Sequence, residues 1–247
     1  MNGHQQAMTH LGRVIPPHPR HLTEDNRMPP EPNNTDKDRE ILYIADPMCS
    51  WCWGFTPTIR AMAERAAGAV QLTMMMGGLR PLTRTPMDEA QKVEIRHHWE
   101  TVEKRSGQPF NYSFFERDGF IYDTEPACRA VCVVRSLARP LMLDYFEAVQ
   151  RAFYAENQDV TDGAVLQAIA RKKGVDHVAF GERFNDVGSA YETSGDFQSA
   201  RQLKVTGYPT VVLRNGQAYG VLTAGFQTWD ALQPTFEMWL SREHKTP

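Results

Sequence analysis

The sequence predicts an α/β fold divided by a long all-helical insertion, and three observations carry that expectation. Short β-prone runs stand at both ends of the patterned region, the stretch between them has helical periodicity almost throughout, and a Cys-x-x-Cys pair falls at the first strand-to-helix junction. Residues 41–45 (Ile-Leu-Tyr-Ile-Ala) read as a central strand that ends at Asp46-Pro47. A helical pattern follows over 53–67, with Ile59, Met62, Ala63 and Ala66 on one face, Pro57 as a candidate kink and Gly68 as its stop. Residues 70–76 form a second strand halted by Gly77-Gly78, its three methionines read as core filler. Strand, helix and strand in this order favour a parallel pair.

From about 86 to 203 no convincing strand occurs. Thr85 or Asp88 caps a helix running towards Arg105, and Thr124 caps a second reaching about 138, with Pro126 tolerated in its first turn. A third covers 141–157, with Tyr145, Phe146, Val149 and Phe153 at helical spacing; a fourth covers 162–173 and a fifth 192–203. The chain then returns to β structure: a strand at 210–214, an Asn215-Gly216 turn and a partner at 217–221. A terminal helix over 229–240 contains Pro234, read as a kink or as its true start. The expected units are therefore an extension over 1–40, a first α/β part over 41–85, the helical insertion over 86–203 and a second α/β part over 204–247.

Bulk properties exclude several classes. The chain has 247 residues, 41% of them hydrophobic, enough for a core or a core with a subdomain. A formal charge of -3 gives no electrostatic case for nucleic acid or an anionic membrane, and no apolar run approaches the roughly 18 residues of a membrane span. Residues 1–40 are rich in Pro, His, Asn and charge and lack the apolar core of a secretory signal, so they are expected to be disordered, with Met28 an alternative start. The expected compartment is then the cytoplasm, where four cysteines read as catalytic, metal-binding or buried rather than as a disulfide framework. The expected partner is a disulfide-containing protein or a small thiol or disulfide, with the recycling partner undefined.

Cys49 and Cys52 have a definite chemical use at a strand-to-helix junction. Free N–H groups and the macrodipole at a helix start favour a thiolate, which makes Cys49 the expected exposed nucleophile. Cys52 lies one turn on, placed to resolve a mixed disulfide as the more buried thiol. Zinc sites use the same spacing, so the pair alone leaves metal binding open. Tyr208-Pro209, just before a strand, is a candidate cis bond that would present the Tyr208 backbone to an incoming disulfide.

Asp46-Pro47-Met48-Cys49-Ser50-Trp51-Cys52-Trp53-Gly54-Phe55, followed by Gly207-Tyr208-Pro209-Thr210, resembles the DsbA-like thioredoxin-fold family, in its branch of FrnE-type and predicted cytoplasmic protein-disulfide isomerases. The likeness runs from about Ile41 to Leu240. It implies a thioredoxin fold with an inserted all-helical domain, a thiol–disulfide oxidoreductase or isomerase activity, and active-site positions at Cys49, Cys52 and Pro209. It implies no bound cofactor, with glutathione as a candidate co-substrate. Two departures stand out. Tyr43 occupies the place of a buried acid, leaving Asp46 as the candidate for proton transfer, in competition with a turn-forming role. Ser50-Trp51 lacks the histidine of strongly oxidising relatives, which points to a moderate dithiol. Two other readings compete: a glutathione-dependent enzyme of the kappa or hydroxychromene-carboxylate isomerase type, which usually places Ser where Cys49 stands, and a non-enzymatic chaperone-like or zinc-binding protein.

Other chemistry-bearing residues have plainer expectations. Cys128 and Cys132, at i and i+4, are poorly placed for a disulfide and read as small buried residues, with an auxiliary redox role as the alternative; no metal ligands are assigned. His97 and His98 read as a solvated helix face. Trp51 is the candidate apolar rim for substrate, whereas Trp53 and Phe55 read equally as core. Arg80 and Arg84 are read as solvated surface cations, with carboxylate binding the alternative.

Overall fold

The computed structural model describes residues 39–241, so the expectations for residues 1–38 and 242–247 lie outside the described residues. Strand β1 (Arg39–Ala45) is central in a four-stranded sheet of order β2-β1-β3-β4. Strand β2 (Gln71–Met76) pairs with it in parallel, and β3 (Thr210–Asn215) pairs antiparallel on its other side. Strand β4 (Ala218–Ala224) completes the sheet, antiparallel to β3. The alternation of β1 divides the packing. Ile41, Tyr43 and Ala45 enter the large core with helix α1 (Ser50–Arg65), while Ile44 joins Val212 and Ala200 in a small cluster on the opposite face.

Helix α1 starts three residues before the apolar periodicity does. Cys49 takes extended backbone as N-cap (φ -94, ψ 116), and its carbonyl accepts from the Trp53 amide at 3.0 Å. The cysteines therefore occupy the cap and first turn, where no apolar repeat has yet begun. Pro57 sits inside α1 without ending it. Proline cannot supply an amide to the carbonyl four residues back, and the Gln108 side chain donates to that Trp53 carbonyl instead, at 3.2 Å.

The insertion begins with α2 (Glu89–Ser106), capped by Asp88 in a reciprocal box with Gln91. In α3 (Glu125–Leu137), Thr124 holds the expected cap position but not the expected bond. Its hydroxyl accepts from the Arg80 amide, and Asp123 accepts from the Glu125 amide in its stead. Helix α5 (Gly163–Lys172) matches expectation, and α4 (Met142–Tyr154) does so except that it ends before the expected 157. Two helices then replace the expected fifth: α6 (His177–Asn185), which the periodicity missed, and α7 (Val187–Gln202), which starts before 192. Asp176 and Asp186 cap them separately, each through a side-chain oxygen on the amide two residues on. Helix α6 is too short to establish a repeat, and α7 buries Ser189 and Thr193 where an apolar residue would have marked its face.

The β3–β4 turn is shifted by one residue from the expected Asn215-Gly216. Asn215 pairs with Ala218, so Gly216 and Gln217 are the central residues. Gly216 adopts φ +62 at the first of them, the position where a type II′ hairpin favours glycine. Strand β4 accordingly starts at 218 and extends to 224. Helix α8 (Trp229–Leu240) runs through Pro234, which neither starts nor stops it. Among the described residues no helix is long and apolar enough to cross a membrane.

Candidate functional site

The turn that carries Cys49 is built by Asp46. Its carbonyl accepts from the Cys49 amide at 3.1 Å, and its carboxylate accepts from the amides of Met48 at 2.8 Å and Leu79 at 2.7 Å. The same carboxylate accepts a thiol hydrogen bond from Cys128 at 3.4 Å, so one side chain joins β1, the segment after β2, and α3. Burial pushes the Asp46 carboxyl above its ordinary range, against the pull of these donors.

Cys49 is itself the N-cap of α1; its sulfur makes no capping bond and no acid lies in the first turn, so the amides and the dipole stay open to it. It is only 5% exposed, which corrects the expectation of an exposed nucleophile. The reason lies opposite: the Tyr208–Pro209 bond is cis, and the Tyr208 carbonyl accepts from the Cys49 thiol at 3.7 Å, so the proline segment shelters it. Cys52 is fully buried, and burial drives its thiol well above the ordinary range, with Cys49 and the Asp46 charge adding to the effect. Both are free thiols.

Tyr208 is fixed by its hydroxyl, which donates to the Gly77 carbonyl at 2.7 Å. A Cβ at Gly77 would fall 2.1 Å from the Tyr208 ring, so only glycine permits this approach. Burial, then Asp46 and the nearby cysteine sulfurs, push the Tyr208 phenol up to about 12. Trp51 is half-buried, its ring 5.7 Å from Phe226, with the Arg105 guanidinium over both rings at 5.4 and 5.1 Å. Trp53 and Phe55 belong wholly to the core, so the rim is Trp51 with two residues that the sequence did not indicate. Phe226 and Arg105 come from segments far along the chain, and neither sits in a motif.

The insertion reaches the turn a second time through Tyr122, whose hydroxyl donates to the Met48 carbonyl at 2.7 Å. Arg80 lies over the Tyr122 ring at 5.4 Å, half-buried, rather than on solvated surface; Arg84, His97 and His98 are exposed. Cys128 and Cys132 are buried, but they are not mere apolar filler, since each thiol is directed at a carboxylate, Asp46 and Asp196 respectively. Burial and Asp196 push Cys132 up to about 12. Among the described residues no group of three or more His, Cys, Asp or Glu is arranged to hold a metal ion.

The family model for the DsbA-like thioredoxin domain matches residues 40–237. The chain belongs to that family. Its fold is that of DsbA-like thiol–disulfide oxidoreductases. A candidate protein disulfide isomerase of Nitrosomonas europaea is 35% identical, with a TM-score of 0.78 over 83% of this chain and 98% of that one. The cytosolic disulfide reductase DsbM of Pseudomonas aeruginosa, whose structure is also known with glutathione, shares the fold at 23% identity and a TM-score of 0.69, over 81% of this chain and 98% of that one. The ClpXP adapter protein SpxH of Bacillus subtilis is 23% identical over 207 residues, 82% of this chain and 68% of that protein.

Proposed function

We propose that this family member is a cytoplasmic thiol–disulfide oxidoreductase or isomerase in which Cys49 attacks and Cys52 resolves. One observation carries the reading: Cys49 caps α1 with its sulfur against the Tyr208 carbonyl, beside cis-Pro209. The Cys49 thiolate attacks one sulfur of a substrate disulfide, forming a mixed disulfide and releasing the other sulfur as a thiolate. Cys52 then loses its proton and attacks the Cys49 sulfur. The second substrate thiolate leaves, and two electrons have passed from the dithiol to the substrate. Asp46, buried beside Cys52, is the candidate group to exchange that proton. Tyr208 and Pro209 form the docking edge, and Trp51 supplies an apolar rim.

The substrate is a disulfide of a protein or of a small thiol. Glutathione is the candidate co-substrate, supported by its presence in a DsbM structure. The cytosolic location of DsbM supports the compartment. Cysteine at position 49 argues against the serine-based kappa and hydroxychromene-carboxylate type. An adaptor role, suggested by the SpxH relatives, is the second reading, and it needs no electron transfer. Cys49→Ser is expected to abolish insulin-disulfide reduction while leaving any adaptor binding intact; wild-type reductase activity in that variant would overturn the assignment.

A further inference from the structure

Strand β1 carries one more polar group beneath the dithiol. Tyr43 faces the same side as Ile41 and Ala45, and its ring lies 5.9 Å from both Phe55 and Phe146. Phe55 follows Cys52 by three residues in α1, so the two share the helix face under which Tyr43 packs. The Tyr43 hydroxyl is shut off from water and closes no hydrogen bond of ordinary geometry. A buried hydroxyl without a partner is costly, and its retention asks for a state of the site that uses it. Burial holds the phenol protonated, with the Cys52 and Cys49 sulfurs acting in the same direction, so near neutral pH Tyr43 keeps a proton to donate. An acid at this place would take up a proton; a phenol lends one without releasing it.

We propose that the Tyr43 hydroxyl is the hydrogen-bond donor that receives the Cys52 thiolate formed transiently during turnover. The inference rests on the oxidoreductase reading above. When an external thiolate attacks Cys49 of the oxidised site, the Cys49–Cys52 bond breaks, a Cys49 mixed disulfide forms, and Cys52 leaves with the electron pair as a thiolate. In the opposite direction the Cys52 thiolate attacks the Cys49 mixed disulfide and expels the external thiolate. Both directions pass through a buried sulfur anion. The Asp46 carboxyl and Cys49 act against that charge, the Asp46 backbone favours it, and Tyr208 senses it from the proline segment. Tyr43 approaches from the sheet with a proton to offer.

The test is Tyr43→Phe, which keeps the ring and removes only the unpartnered oxygen. Reaction of the reduced protein with 5,5′-dithiobis(2-nitrobenzoate) releases one equivalent of coloured thiolate when Cys49 attacks and a second when Cys52 resolves. The first phase is expected to be unchanged, and the second to slow by roughly tenfold or more, with its pH midpoint moved upward by about one unit. A second phase equal to wild type in rate and pH dependence would overturn the proposal. Phe146→Leu, which loosens the ring packing and keeps the hydroxyl, is expected to leave the second phase unchanged; equal slowing there would also overturn it. A wild-type protein releasing one equivalent alone would instead bring down the dithiol reading, and this inference with it.

Discussion

The two cysteine pairs of this chain are alike in burial and in their neighbours, yet they stand in different backbone settings. Cys49 and Cys52 lie at the start of α1; Cys128 and Cys132 lie within α3. Asp46 touches both groups, since it shapes the turn around Cys49 and accepts from Cys128. What separates them is the backbone. At a helix start the amides are unspent and stabilise a sulfur anion, whereas in mid-helix they are committed to carbonyls one turn back. The thiols of α3 are instead held protonated, first by burial and then by the carboxylates they meet. On the proposed function, position along the helix, rather than burial or proximity to an acid, separates the reactive cysteine from the inert ones.

The largest expected effect tests that contrast directly. Cys49→Ser should lower insulin reduction by at least about a thousandfold, while Cys128→Ala keeps it within about twofold. Comparable losses in both variants would erase the distinction. Cys52→Ser sharpens it from the other side: the protein should accumulate a mixed disulfide at Cys49, visible by mass spectrometry as a stable adduct. Gly77→Ala should cost about tenfold in kcat/KM, because the added Cβ drives Tyr208 from its seat and the proline segment with it. An unaltered rate would mean that Tyr208 does not set the docking edge.

The smaller effects concern stability. Cys128→Ala should cost about 1–2 kcal/mol in urea unfolding, from a lost thiol bond and a small cavity. Asp46→Asn should reveal the sign of the Asp46 shift. Because burial raises its folded pKa above the unfolded value of about 3.9, folding binds this proton more tightly. That contribution is complete below the unfolded value and is lost as pH rises through the folded one. The stability difference of wild type over Asp46→Asn should therefore be most favourable to wild type in acid and shrink towards neutrality. A difference that grows with pH would assign Asp46 as a depressed, charge-stabilised carboxylate.

Much of the frame was legible because local chemistry and fold agree. The Asp88 cap, the parallel pair from strand, helix and strand, and Tyr208-Pro209 before β3 each announce themselves over a few residues. The losses share a physical cause. Helix α7 buries Ser189 and Thr193 in its first half and only Phe197 and Ala200 later, a stripe too thin to read, and the hairpin segment carries two overlapping turn signals, Asn215-Gly216 and Gly216-Gln217, of which the second sets the register. At the site, motif residues are visible and their neighbours are not. Trp51 was marked by the Cys-x-x-Cys run, but Arg105 and Phe226 reach it only through the tertiary fold. The same holds for Cys128, whose bond to Asp46 could not be read from its own helix.

The Tyr122 hydroxyl on the Met48 carbonyl has a consequence for motion. Together with the Cys128–Asp46 bond and the Trp53 ring stacked on Tyr154 at 6.3 Å, it fastens the redox turn to the helical insertion at three points. The turn cannot open to solvent while those ties hold, so the amides of Met48 and Cys49 should exchange with deuterium in step with α3 rather than with exposed loops. Loosening the insertion, for instance by Tyr122→Phe, should then quicken exchange at the turn before it affects the sheet. The segment that interrupts the α/β frame thus acts as the clamp that sets how often its active turn breathes.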